Sequence, residues 1–150
     1  MDIQTAIKHY CNYQDRSHKE VRNKLYELGC RTAEVEELIA ELIQTGLLSE
    51  ERYARSIARG KFRLKHWGRK KIVRQLQFQQ VSSYCISKAL SEIDPQEYRD
   101  TLKKLAQKKW EELKMEKDPF SRKMRVLRYL HQKGYESDLS KDVLQEISGE

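Results

Sequence analysis

The sequence predicts an all-α protein of three tandem three-helix repeats forming an elongated, curved array. Three observations carry that reading. Apolar residues recur at helical spacing along nearly all of the 150 residues. Cap residues and glycines punctuate them into nine segments, and the apolar pattern returns on itself, first after 51 positions and then after 54. With 35% charged and 38% hydrophobic residues and two prolines, the composition suits solvated helices carrying narrow apolar stripes.

Ile3, Ala6, Ile7 and Tyr10 set a short first helix over 3–13. Ser17 followed by Glu20 forms a capping-box pattern for the second helix, with Val21, Leu25 and Leu28 inward and Gly29 as its left-handed stop. Thr32 is expected to cap the third helix, whose stripe is Val35, Leu38, Ile39 and Leu42, with Gly46 ending it. Ser49, followed by Glu50 and Glu51 in the positively polarised first turn, starts a fourth helix through about Leu64, with Tyr53, Ala54, Ile57 and Leu64 inward.

The fifth helix runs from about Gly68 to Gln79 on Ile72, Val73 and Leu76, and Ser82 or Ser83 caps a sixth carrying Ile86, Ala89, Leu90 and Ile93. Asp94-Pro95-Gln96-Glu97 unites an N-cap, a first-turn proline and a glutamate three residues on. It opens a long seventh helix on Tyr98, Leu102, Leu105, Ala106 and Trp110. Asp118-Pro119 opens the eighth, with Val126, Leu127 and Leu130 inward and Gly134 as stop, and Ser137 begins the ninth on Val143, Leu144 and Ile147.

These helices fall into repeats 1–46, 47–93 and 94–150. Val21, Leu25, Val35, Leu38, Ile39 and Leu42 map onto Ile72, Leu76, Ile86, Ala89, Leu90 and Ile93; Val126, Leu130, Val143, Leu144 and Ile147 continue the register. Three helices close too little core alone, so such units share walls with their neighbours. A surface of this kind presents a long face and no deep catalytic pocket. At Gln80, where the other copies have glycine, either the residue accepts a left-handed strain of about 1 kcal/mol or the helix ends differently.

Charge is segregated. Residues 49–93 hold eleven Lys and Arg against three Asp and Glu, a balance of +8, whereas 1–48 balance at −2 and 94–150 at +1. Between Glu51 and Glu92 no acidic residue occurs. A solubilising surface mixes both signs, so this segment is expected to meet an acidic partner, either phosphate backbone or acidic protein. Its outward cations are Arg52, Arg55, Arg59 and Arg63 on the fourth helix, Lys65 at its end, and Arg69, Lys70, Lys71 and Arg74 on the fifth. Trp67, in the turn between them, either stacks on a base, anchors a protein interface or packs between helices.

Cys11, Cys30 and Cys85 are widely spaced and form no CxxC pair, and the histidines have no second ligand at metal spacing. Buried thiols in a reducing cytoplasm are therefore expected. There is no 18-residue apolar run, no export-signal pattern at Met1-Asp2-Ile3, and no Gly-rich phosphate loop, GxSxG or HExxH. The expectation is a cytoplasmic, monomeric binding protein with no catalytic residue, metal or cofactor.

Gly46-Leu47-Leu48-Ser49-Glu50-Glu51-Arg52-Tyr53-Ala54, Lys65-His66-Trp67-Gly68-Arg69-Lys70-Lys71-Ile72, and then Leu76 and Val81 through Ala89-Leu90 carry a family likeness. The sequence resembles the bacterial RecX regulatory proteins, most closely over 46–90. The resemblance implies a non-enzymatic protein that binds the RecA recombinase filament, lies along its groove near the DNA phosphates, and inhibits its ATPase, strand-exchange and coprotease activities. The competing expectation is a helical protein that binds DNA directly, without RecA.

Overall fold

A computed structural model describes residues 2–149. Among them are nine α-helices and no strand: α1 (Ile3–Tyr13), α2 (His18–Glu27), α3 (Thr32–Gln44), α4 (Glu50–Lys65), α5 (Arg69–Phe78), α6 (Ser83–Leu90), α7 (Pro95–Glu112), α8 (Pro119–Lys133) and α9 (Ser137–Ser148). They form an all-α tandem three-helix repeat fold. Two compact units result, Met1–Ile57 with Gln75–Leu90, and Ala58–Arg74 with Ser91–Glu150. The helices α4 and α5 each supply residues to both.

In the first unit, Ile7, Cys11, Val21, Leu25, Cys30, Val35, Ile39, Leu42 and Leu48 form one buried cluster. Ser17 sits fully buried at the head of α2. Its hydroxyl accepts from the Glu20 N–H at 3.0 Å, the Glu20 carboxylate accepts from the Ser17 N–H at 2.8 Å, and the hydroxyl donates to Gln79 Oε1 at 2.6 Å. The cap that starts α2 therefore also fastens the end of α5. The second unit closes over Ala58, Phe62, Ile72, Tyr98, Leu102, Ala106, Val126, Leu130, Tyr135, Val143 and Leu144, all buried.

Repeat-equivalent positions have equivalent environments. Val21, Ile72 and Val126 are fully buried, as are Leu25, Leu76 and Leu130; complete burial of each such side chain is worth about 1.5–3 kcal/mol. The middle helix of every repeat ends in the same left-handed motif. Its left-handed residues are Gly29 (φ 96°), Gln80 (φ 60°) and Gly134 (φ 98°). The next residue's N–H reaches back to a carbonyl near the helix end, Cys30 to Leu25 at 3.1 Å, Val81 to Leu76 at 3.0 Å and Tyr135 to Leu130 at 3.1 Å. Gln80 therefore adopts the glycine conformation in full, because the buried Val81 that follows needs the same reversal.

Four expectations change. Helix α6 ends at Leu90, so Ile93, though buried, lies in the turn before α7. Leu64 is 83% exposed, and Ala58 and Phe62 line the inner face of α4 in its place. With Ala54, Ala58 and Phe62 recurring every fourth residue, a position two beyond Phe62 lies roughly 200° around the helix. Thr32 is the first residue of α3, with Arg31 in the cap position; the Thr32 hydroxyl accepts from the Tyr26 hydroxyl at 3.2 Å. Leu28, Leu38, Ile57, Val73, Leu90, Leu105, Trp110, Leu127 and Ile147 are half-buried, on the margins of their stripes.

Candidate cationic interface

The basic segment is seated by a turn. After α4 ends at Lys65, His66 turns the chain with φ 56°, and Gly68 brings the backbone against the stop of α8. The Gly68 N–H donates to the Lys133 carbonyl at 2.7 Å, and the Lys70 N–H donates to the Gly134 carbonyl at 2.9 Å. The Tyr135 hydroxyl donates to the His66 carbonyl at 2.8 Å, and the Lys133 ammonium donates to the Lys65 carbonyl at 2.8 Å. Four hydrogen bonds thus pin the Lys65–Lys70 stretch to residues 133–135.

Arg69 turns inward. Its guanidinium lies 3.8 Å from the Tyr98 ring centre and donates to Glu136 Oε2 at 2.8 Å, while its N–H donates to the Tyr98 hydroxyl at 2.9 Å. The Tyr98 hydroxyl donates in turn to Glu136 Oε1. Burial, then the hydrogen bond to Glu136, pushes the Tyr98 phenol far above its ordinary value. Burial works to raise the Glu136 carboxyl, but the bonds from Tyr98 and Arg69 outweigh it and hold the carboxyl below its usual range. Rings at 5.1 Å (Tyr98 with Tyr135) and 5.8 Å (Phe62 with Tyr98) complete the seat.

Around this seat the cations gather on Trp67. The indole is half-buried, with the Lys61 ammonium 5.0 Å and the Lys71 ammonium 4.6 Å from its ring centre. Burial, followed by repulsion from Lys71 and Lys65, pulls the Lys133 ammonium below its ordinary value. Lys61, Lys65, Lys71 and Lys133 thus share one region, and an anion there relieves their mutual repulsion. Arg63, Lys70 and Arg74 belong to the same unit and are exposed.

The remaining sequence candidates have other partners. Arg52 donates to Asp15 at 2.7 Å and to the Gly46 and Leu47 carbonyls at 3.0 and 3.1 Å, tying the entry of α4 within the first unit. Arg55 pairs with Glu51 at 3.6 Å, and Arg59 with Glu92 at 3.3 Å. The regular spacing on α4 therefore joins residues in unlike circumstances. Sequence reasoning missed Tyr98, Lys133, Tyr135 and Glu136 as parts of the seat. The glycine stop at 134 was legible, but its contact with a glycine 66 positions earlier leaves no local signature.

Among the described residues no group of three or more His, Cys, Asp or Glu could hold a metal ion, and no helix is long and apolar enough to cross a membrane. The three thiols are buried and unbridged.

Residues 8–42, 49–90 and 96–144 match the descriptions "RecX, first three-helix domain", "RecX, second three-helix domain" and "RecX, third three-helix domain". A regulatory protein RecX of Clostridium perfringens (strain 13 / Type A) is 34% identical over 134 residues, which is 89% of this chain and 62% of the relative. The chain thus spans under two thirds of that relative's length. A regulatory protein RecX of Vibrio vulnificus (strain CMCP6) is 29% identical over 126 residues, 83% of this chain and 80% of its own. The crystal structure of RecX from Lactobacillus salivarius superimposes with a TM-score of 0.88 at 24% identity, covering 98% of this chain and 95% of that one, and shares its fold.

Proposed function

The chain belongs to the RecX family of regulatory proteins, and from that premise we propose that it binds the RecA filament on DNA and inhibits its ATPase, strand-exchange and coprotease activities. Under this reading it acts in the cytoplasm by occupying a surface, without catalysis or cofactor. The observation that supports it most is the placing of Lys61 and Lys71 over Trp67, with Lys133 bonded to the Lys65 carbonyl beside them, on a backbone seat. Such a site suits a partner offering carboxylates or phosphates close together, as protein and DNA do along a filament.

The test is a titration into RecA hydrolysing ATP on single-stranded DNA. Inhibition is expected near stoichiometric amounts, and its loss is expected when Lys61, Lys70, Lys71 and Arg74 are together changed to Glu. No inhibition by the native chain, or equal inhibition by a folded variant, overturns the proposal.

The cations about the indole also support a second reading, direct binding to DNA without RecA. On bare duplex, affinity then falls with salt at a log-log slope of about −0.9 per phosphate contacted and is indifferent to RecA. Binding that tightens on the filament selects the first reading.

A further inference from the structure

The third repeat carries a second surface of different chemistry. Between α8 and α9 lies a groove of about 320 Å³ walled by Phe120, Met124, Leu127 and Leu144, with Lys123 and Lys141 among its lining. Phe120 is 70% and Met124 42% exposed, so large apolar surface faces solvent at its mouth.

The repeat register shows how the groove arises. In the first repeat the same place between α2 and α3 is bridged by Arg22 and Glu36, paired at 2.9 Å. Their equivalents 105 positions on are Leu127 and Lys141, and Lys19 corresponds to Met124. The bridge is thus replaced by an apolar floor and a single cation. Closing α8 on α9 does not need these side chains, because Val126, Leu130, Val143 and Leu144 are already buried.

Apolar walls with an ammonium rim fit a protein segment that presents apolar side chains flanked by carboxylates. Phosphate backbone offers nothing to Met124, Leu127 and Phe120, which leaves a protein segment; a second copy, whose residues 1–48 balance at −2, is the occupant that light scattering separates from RecA. Resting on the reading under Proposed function, we infer that this groove docks a carboxylate-flanked apolar segment of RecA, as a contact separate from the cationic cluster. An apolar contact of this kind resists salt, whereas the cluster's contact is screened by it.

The experiment compares three purified proteins for binding to RecA filaments on single-stranded DNA, at low and high salt. These are the native chain, Met124→Glu, and the double variant Leu127→Arg with Lys141→Glu, which rebuilds the Arg22–Glu36 bridge. Circular dichroism melts establish that the variants fold. Loss of about tenfold or more in affinity for both variants, persisting at high salt, is the expected result. Native-like binding by either folded variant overturns the inference while leaving the filament reading intact. Failure of the native chain itself to bind overturns both. A native dimer in light scattering that the variants dissociate overturns it by assigning the groove to a second copy.

Discussion

Gly68 and Gly134 meet backbone to backbone: a Cβ on Gly68 would stand 2.3 Å from the Gly134 carbonyl carbon, and one on Gly134 would stand 2.4 Å from the Lys71 Cβ. For Gly68 the obstructing atoms are main chain, so no side chain can move aside. Gly68→Ala is expected to lower stability by about 3 kcal/mol, at the upper end of the overpacking range. Urea denaturation measures this, and an unchanged midpoint would show that the contact is not kept in solution.

Glu136 gives the fold an acid limit. Its carboxyl is held below the unfolded value of 4.5, so its contribution to stability is present above that pH and is lost as pH falls through the folded value. Glu136→Gln is expected to weaken the protein at neutral pH and to flatten the acid side of its stability curve. Thermal melts from pH 7 down to about pH 3 read both effects, and a parallel acid limb in the variant would contradict this assignment.

Tyr53 contributes to the alkaline counterpart. Burial is the main cause of its phenol being raised from 10.0 to about 12, so it adds stability below pH 10 that is lost as pH climbs through that interval. Tyr53→Phe is expected to retain the packing and lose part of this alkaline sensitivity. Comparative melts from pH 8 to about pH 12 test it, with identical slopes as the adverse result.

Gln80 holds φ 60° where its repeat-equivalents Gly29 and Gly134 hold positive φ without a side chain. Gln80→Gly is expected to stabilise the chain by about 0.5 kcal/mol, the left-handed penalty of about 1 kcal/mol being partly offset by added freedom in the unfolded state. A lowered melting temperature would show that the glutamine side chain contributes more than its backbone strain costs.

Neighbouring cations should separate by effect. Arg52→Met removes bonds to Asp15 and to the Gly46 and Leu47 carbonyls, and is expected to cost about 1 kcal/mol of stability after solvent screening. Lys71→Glu is expected to leave stability nearly unchanged and to weaken RecA ATPase inhibition. Equal behaviour of the two variants in both assays would remove the distinction.

Most of the fold was legible because its signals are local. Ser17 with Glu20, Asp94 with Pro95, and Gly29 and Gly134 each act within a few residues, and their hydrogen bonds appear where the pattern put them. Leu64 was misjudged because an apolar residue near a helix end fits several stripes, and only the packing of Phe62 against Tyr98 selects one. The basic segment was legible as composition, whereas the destination of each cation was not. Arg69 and Lys70 are adjacent, yet one bonds Glu136 while the other lies exposed, a difference set by a turn 66 or so residues away.

The hold of residues 133–136 on the Lys65–Lys70 stretch bears on how this protein is dissected. A fragment ending before Lys133 keeps every cation of the acid-free segment but leaves the Gly68 amide, the His66 carbonyl and the Arg69 guanidinium without their anchors. Weak binding by such a truncated piece reflects a collapsed mount, and only the uncut polypeptide gives a fair reading of what the lysines and the indole recognise.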